Sequence, residues 1–191
     1  MNRKTLDSLV SYIGLALAAV LVVAGGLAYW GYSFASSAIS AQLEEQRITF
    51  PDGDFLPVAN EDGFTEEDAA AIAKYAGQQL TTGDQAKAYA DHYIKVHMNS
   101  MGGGKTYGEV SGEYRAALAA DPTSEETASL GQLRMSLFMG DTLRGLLLNA
   151  YAFGVVGTIA YYASIASFAG AAILLLLALL GFRHAKAAAT E

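Results

Sequence analysis

Cysteine is absent from the 191 residues, and proline occurs only three times. Without thiols the chain forms neither disulfides nor thiolate metal sites, and cysteine-based nucleophilic chemistry is excluded with them. Basic residues are scarce as well: 12 Lys and Arg stand against 19 Asp and Glu, a formal net charge of −7. Phosphate-backbone binding needs a basic face, so nucleic acid is not an expected partner. Charge is also missing locally. No Asp, Glu, Lys or Arg lies between Asp7 and Glu44, and none lies between Arg144 and Arg183.

What fills those two gaps is apolar, including the run Ala169-Gly170-Ala171-Ala172-Ile173-Leu174-Leu175-Leu176-Leu177-Ala178-Leu179-Leu180. About 20 apolar residues at 1.5 Å rise cross a bilayer core of roughly 30 Å. Two transmembrane helices are therefore expected, over residues 9–32 and 149–182. Neither contains an Asp, Glu, Lys, Arg, His or Met. Ion paths, proton relays and voltage sensors need charge at depth, and a haem in the bilayer needs an axial ligand. Transporter, channel and haem-carrier roles are accordingly not expected.

Between the spans, Glu44 to Arg144 holds 17 acidic residues against 8 basic ones, while Arg3, Lys4, Arg183 and Lys186 flank the spans on their other sides. The positive-inside rule then puts both termini in the cytoplasm and the acidic region outside. The expected fold is an all-α membrane protein: a hairpin of two transmembrane helices with a small helical extracytoplasmic domain between them. Its parts are a cytoplasmic tail over 1–8, the first span, an extracytoplasmic domain with stalks over 33–148, the second span, and a cytoplasmic tail over 183–191. Arg3-Lys4, the apolar run and Ser33-Phe34-Ala35-Ser36-Ser37-Ala38 have the outline of a signal peptide; an uncleaved anchor is the expectation. Trp30, Tyr32 and Phe34 fall where an interfacial aromatic belt belongs. Gly14, Ala18, Gly25 and Gly26 on one span, and Ala166, Ser167, Gly170 and Ala171 on the other, offer small surfaces for close helix packing.

In the outer domain, a stalk helix runs to Gln46 and stops before Pro51-Asp52-Gly53. Thr65-Glu66-Glu67-Asp68 reads as a capping box opening a helix to about Leu80. Gln85 to about Met98 keeps an i, i+3, i+4 stripe, and Met101-Gly102-Gly103-Gly104 ends it. Thr106-Tyr107-Gly108-Glu109 caps a third helix to Ala120. From Thr123-Ser124-Glu125-Glu126 a last helix is predicted to run through Met135 and Phe138 into the second span, with Gly131, Gly140 and Gly145 as places for a bend.

Few residues suggest chemistry. Gly102-Gly103-Gly104-Lys105-Thr106 looks like the end of a phosphate-binding loop, but that pattern needs a further glycine where Asn99 stands, and a preceding strand. It reads instead as a helix-breaking turn whose glycines supply positive φ, so no nucleotide is expected. His97 and Met101 sit one helical turn apart and would suit Cu(I) as imidazole and thioether donors. His92 lies about 140° around the helix from His97 and does not converge with it. The acid pairs Glu44-Glu45, Glu66-Glu67 and Glu125-Glu126 read as solvated or capping charges. Tyr75, Tyr89, Tyr93, Tyr107 and Tyr114 recur at helical spacing, either as the core of a small domain or as interface anchors.

Several stretches carry a likeness: Gln46-Arg47-Ile48-Thr49-Phe50-Pro51, Gly103-Gly104-Lys105-Thr106-Tyr107, Leu133-Arg134-Met135-Ser136-Leu137-Phe138, and Leu143-Arg144-Gly145-Leu146-Leu147-Leu148-Asn149-Ala150-Tyr151-Ala152-Phe153-Gly154. Over most of Ala41 to Gly154 the chain resembles a family of actinobacterial two-span membrane proteins with an external helical domain. Such proteins are often labelled aromatic ring-opening dioxygenases. Ring cleavage needs iron ligands such as two histidines and a carboxylate, and the outer domain offers only His92 and His97, so the label does not suit this sequence. The look is also similar to small accessory subunits of the actinobacterial respiratory supercomplex that joins a cytochrome bcc complex to a terminal oxidase. That resemblance implies a bacterial plasma-membrane protein with membrane lipid and other membrane subunits as partners, no cofactor of its own and no enzymatic activity. Within that expectation the interface residues are Arg134, Phe138, Arg144 and Tyr151, in the stretch leading to the second span, with Tyr89 and Tyr93 from the second external helix. Alternatives are a copper-handling or oxidase-assembly factor acting through His97 and Met101, and an envelope sensor of a small ligand.

Overall fold

Two long helices account for most of the chain. The computed structural model describes residues 3–187; the outer ends of the two expected tails, 1–2 and 188–191, lie outside the described residues. Helix α1 spans Arg3–Gln46 and α6 spans Glu125–Ala187. At 44 and 63 residues they are about 66 and 95 Å long. Both are long and apolar enough to cross a membrane. Only 17% and 11% of their most apolar windows are buried within the protein, so most of this apolar surface is not covered by the chain's own core.

The chain divides into two compact units, residues 1–36 with 156–191, and residues 37–155. In the first, the N-terminal part of α1 and the C-terminal part of α6 run antiparallel. Tyr12 meets Phe182 edge-on at 5.0 Å and Tyr32 meets Tyr161 at 5.0 Å. Gly14 lies against Ala178, Gly25 against Ser167 and Phe168, and Gly170 against Leu21. Ala18 and Ala171 are buried. The small residues thus bring the two helices together, as such residues do where van der Waals packing is the main attraction. Ser11 and Ser164, both buried, satisfy their hydroxyls on the carbonyls of Asp7 and Tyr161 along their own helices, as serines in apolar helices commonly do.

The second unit is built from short helices closed by local signals. Arg47, at φ 53°, takes the left-handed position that ends α1. A 3₁₀ turn follows over Gly53–Phe55, then α2 over Glu66–Ala73. Helix α3 covers Gly83–Tyr89, a π-helical turn covers Ala90–Ile94, and α4 covers Lys95–Gly102. Helix α5 covers Tyr107–Ala120. Capping boxes open α2, α3 and α5, at Thr65 with Asp68, Thr82 with Gln85, and Thr106 with Glu109. The α4 end is closed by Gly103 and Gly104, both at positive φ, whose N–H groups donate to Ser100 and Asn99.

Two features differ from the expectation. The helix expected to reach Leu80 stops at Ala73. Gly77, at φ +67°, turns the chain, and Gln78 to Leu80 then pairs with Ile48 to Phe50 through the bonds Phe50 N–H to Gln78 and Leu80 N–H to Ile48. This pairing delivers Phe50 and Leu80 to the core, which helix propagation would not. The next helix is interrupted by the π turn, where the Lys95 N–H reaches the Ala90 carbonyl.

The core has two clusters. Ile39 and Leu43 of α1 meet Phe50, Ile72, Leu80, Ala86, Ala90 and Leu147, with Tyr75, Tyr89 and Tyr93 packed against them. A smaller one joins Met98, Val110 and Leu137. Gly83 lets α3 approach α6 closely: a Cβ there would lie 3.2 Å from the Ala150 carbonyl oxygen and from the Tyr151 Cα.

Candidate functional site

The residues of the expected interface separate into inward and outward groups. Tyr89 packs on Phe50 at 5.2 Å and on Tyr93 at 4.8 Å. Burial pushes its phenol up to about 12, with the neighbouring Tyr93 adding to the rise. Tyr93 continues the column to His97 at 4.4 Å, and Phe64 closes on both rings. Both tyrosines therefore spend their faces on internal packing. Tyr151 is half-buried, with the Lys87 ammonium 5.4 Å from its ring centre. The Arg134 guanidinium lies 4.3 Å over the Tyr114 ring, a cation–π contact between α6 and α5.

Arg144 faces inward too. Its Nη2 donates to Asp91 at 2.8 Å, and Asp91 also accepts from Lys87 at 2.5 Å. Burial by itself would raise the Asp91 carboxyl; the hydrogen bonds from Lys87 and Arg144, with their charges, outweigh it and hold the group below the usual carboxylate range. A second tie, with no local sequence signal, joins His92 Nδ1 to Asp68 at 2.8 Å. Asp68 is also the acid of the α2 capping box. Burial opposes its ionisation, but the Thr65 hydroxyl and His92 keep its carboxyl low. Together these bonds fasten α2 and α6 to the helix that carries the π turn.

Phe138 alone of the six points outward, 51% exposed, with its ring 5.7 Å from Tyr107. Met135, Met139 and Leu146 are exposed beside it at 50%, 57% and 63%. Their spacing of three, four and seven residues puts them on one helix face. Sequence reasoning singled out Phe138 but not this stripe, because Leu130, Leu133, Leu137, Leu143 and Leu147 make the other faces of the helix apolar as well.

His97 Nδ1 is 2.8 Å from the Tyr93 carbonyl, which fixes the ring and leaves Nε2 as its free donor atom, while Met101 is exposed. Asp54, Glu61 and Asp62 share with His97 a cavity of about 320 Å³. Among the described residues no three acidic or imidazole groups converge where one ion would sit. The backbone N–H groups of Gly103, Gly104 and Lys105 are taken by the carbonyls of Ser100, Asn99 and Gly102, so this turn does not form the amide cradle of a nucleotide loop.

Compared with protein families, with curated proteins and with solved structures, the chain matches none.

Proposed function

We propose that the chain is a non-catalytic accessory subunit, anchored in the membrane by α1 and α6 as a hairpin, whose residues 33–148 form an extracytoplasmic domain that docks on a larger membrane complex. The observation that carries this reading is the stripe of Met135, Phe138, Met139 and Leu146, four large apolar side chains exposed on one face of α6. Contiguous exposed apolar surface of this kind marks a protein or membrane contact, and methionine and aromatic side chains are enriched at protein interfaces. The partner suggested by the sequence resemblance is a respiratory assembly of a cytochrome bcc complex with a terminal oxidase. Inward-facing Arg144, Tyr89, Tyr93 and Tyr151 hold the domain in shape, and Phe138 with its neighbours meets the partner.

Affinity purification of the tagged protein in a mild detergent, with mass spectrometry and a haem spectrum of the eluate, tests this. Near-stoichiometric cytochromes are expected with the native chain, and at least tenfold less with Phe138→Ala combined with Met139→Ala, at unchanged helix content. A colourless eluate from the native chain refutes the reading.

A further inference from the structure

The turn after α4, which docking leaves unused, opens on a small cavity. Its volume is about 150 Å³, below the roughly 300–1,000 Å³ of pockets that enclose drug-sized ligands. It admits a group of a few heavy atoms, not a nucleotide. In a domain whose overall balance is strongly acidic, three cations line it: Lys95, Lys105 and Arg144. Asn99, Thr106 and Tyr107 add neutral polar groups, and Asp141 is the one carboxylate in the lining.

The three cations are held differently. Lys105 pairs with Glu113 at 2.7 Å across an exposed surface, where an ion pair is weak and easily shared. Arg144 is oriented by Asp91 at 2.8 Å. Lys95 has no ion pair among the described residues. Glu113 and Asp91 thus fix the bearings of two cations from outside the lining, and the third is uncommitted.

We infer that this cavity binds a small oxyanion of the phosphate class, with Lys95 as the free charge and Lys105 and Arg144 as the oriented cations of its wall. The cavity is too small for the rest of a large ligand, so the anion is either a free phosphate or the phosphate of an anionic lipid headgroup. The lipid source rests on the membrane reading of α6, in which Arg144 is the last cation before the apolar stretch. The site stands on the geometry of residues 95–144 and is independent of the docking reading.

The full-length protein in mild detergent and phosphate-free buffer would be titrated calorimetrically with inorganic phosphate and, separately, with dihexanoyl phosphatidylglycerol below its micellar concentration. One saturable site is expected for at least one probe. Phosphate alone identifies a free-anion site; the lipid alone, or the lipid more tightly, identifies a headgroup site. Lys95 is exposed and unpaired, so Lys95→Gln leaves the fold intact and should weaken binding about tenfold, the effect of losing one charge-assisted hydrogen bond, while Lys95→Arg should retain it. No saturation with either probe, or equal affinity in Lys95→Gln, overturns the assignment.

Discussion

Replacing Asp91 by asparagine separates the two cations that share it. Asp91 accepts from Lys87 and Arg144, whose side chains are 44% and 31% exposed, and is itself 20% exposed. Asparagine keeps the shape and one acceptor but removes the charge. Lys87 turns to water at little cost, because exposed ion pairs contribute below about 1 kcal/mol. Arg144 is the less exposed of the two, at 31%, and the loss of its Nη2 hydrogen bond to a charged group costs about 2 kcal/mol. Hydrogen exchange over residues 83–102, read by mass spectrometry in mild detergent, should therefore speed up roughly thirtyfold. Lys87→Met should change it less than about fivefold. The pH dependence has a definite sign. The Asp91 carboxyl is held below its unfolded value, near 3.9, so its contribution is complete above that pH and fades as pH falls through the lower folded value. The native chain and Asp91→Asn should then begin to approach each other in urea stability as pH falls below about 4, and converge only below the lower folded value. Equal protection in Asp91→Asn and Lys87→Met would refute the claim that Arg144 is the partner that matters.

Three further outcomes follow from the packing. Gly83→Ala should destabilise the second unit by about 1–3 kcal/mol in urea unfolding, because the new methyl meets the α6 backbone at 3.2 Å and backbone yields poorly to overpacking. Gly112→Ala, with no neighbour within 4 Å of the added Cβ, should instead stabilise α5 by up to about 1 kcal/mol. Tyr89 should be among the last tyrosines to ionise in a spectrophotometric titration, and its contribution to stability should be lost between about pH 10 and 12 as the folded chain resists deprotonation; replacing it by phenylalanine should flatten stability over that window.

The two long helices were legible because nothing interrupts them: charge is absent from 8–43 and from 145–182, and the helix from Glu125 passes Gly131, Gly140 and Gly145 without a break. The capping boxes at Thr65 and Thr106 were legible because their partners sit three residues away. What escaped reading depends on distant residues. Gln78 to Leu80 left the helix because Ile48 to Phe50, thirty residues earlier, offers backbone partners. Arg144 turned inward because Asp91, 53 residues away, receives it. Tyr89 and Tyr93 carried a pattern that fits a core or an interface equally, and Phe50, brought in by that same short pairing, claims Tyr89 for the core while Phe64 closes on Tyr93.

One local signal for the π turn was present all the same. Gln85, Tyr89, Tyr93, His97 and Met101 recur every four residues. In an α-helix each step of four overshoots a full turn by about 40°, so His97 would sit about 80° from Tyr89. Yet Tyr89, Tyr93 and His97 stack in sequence at 4.8 and 4.4 Å. The wider turn over Ala90–Ile94 removes part of that overshoot. Within that turn the adjacent residues Asp91 and His92 reach different elements, one Arg144 on α6 and the other Asp68 on α2. An aromatic column with a period of four rather than 3.6 thus belongs to an under-wound helix, while the step of nearly 100° between neighbouring residues lets Asp91 and His92 fasten helices on two sides.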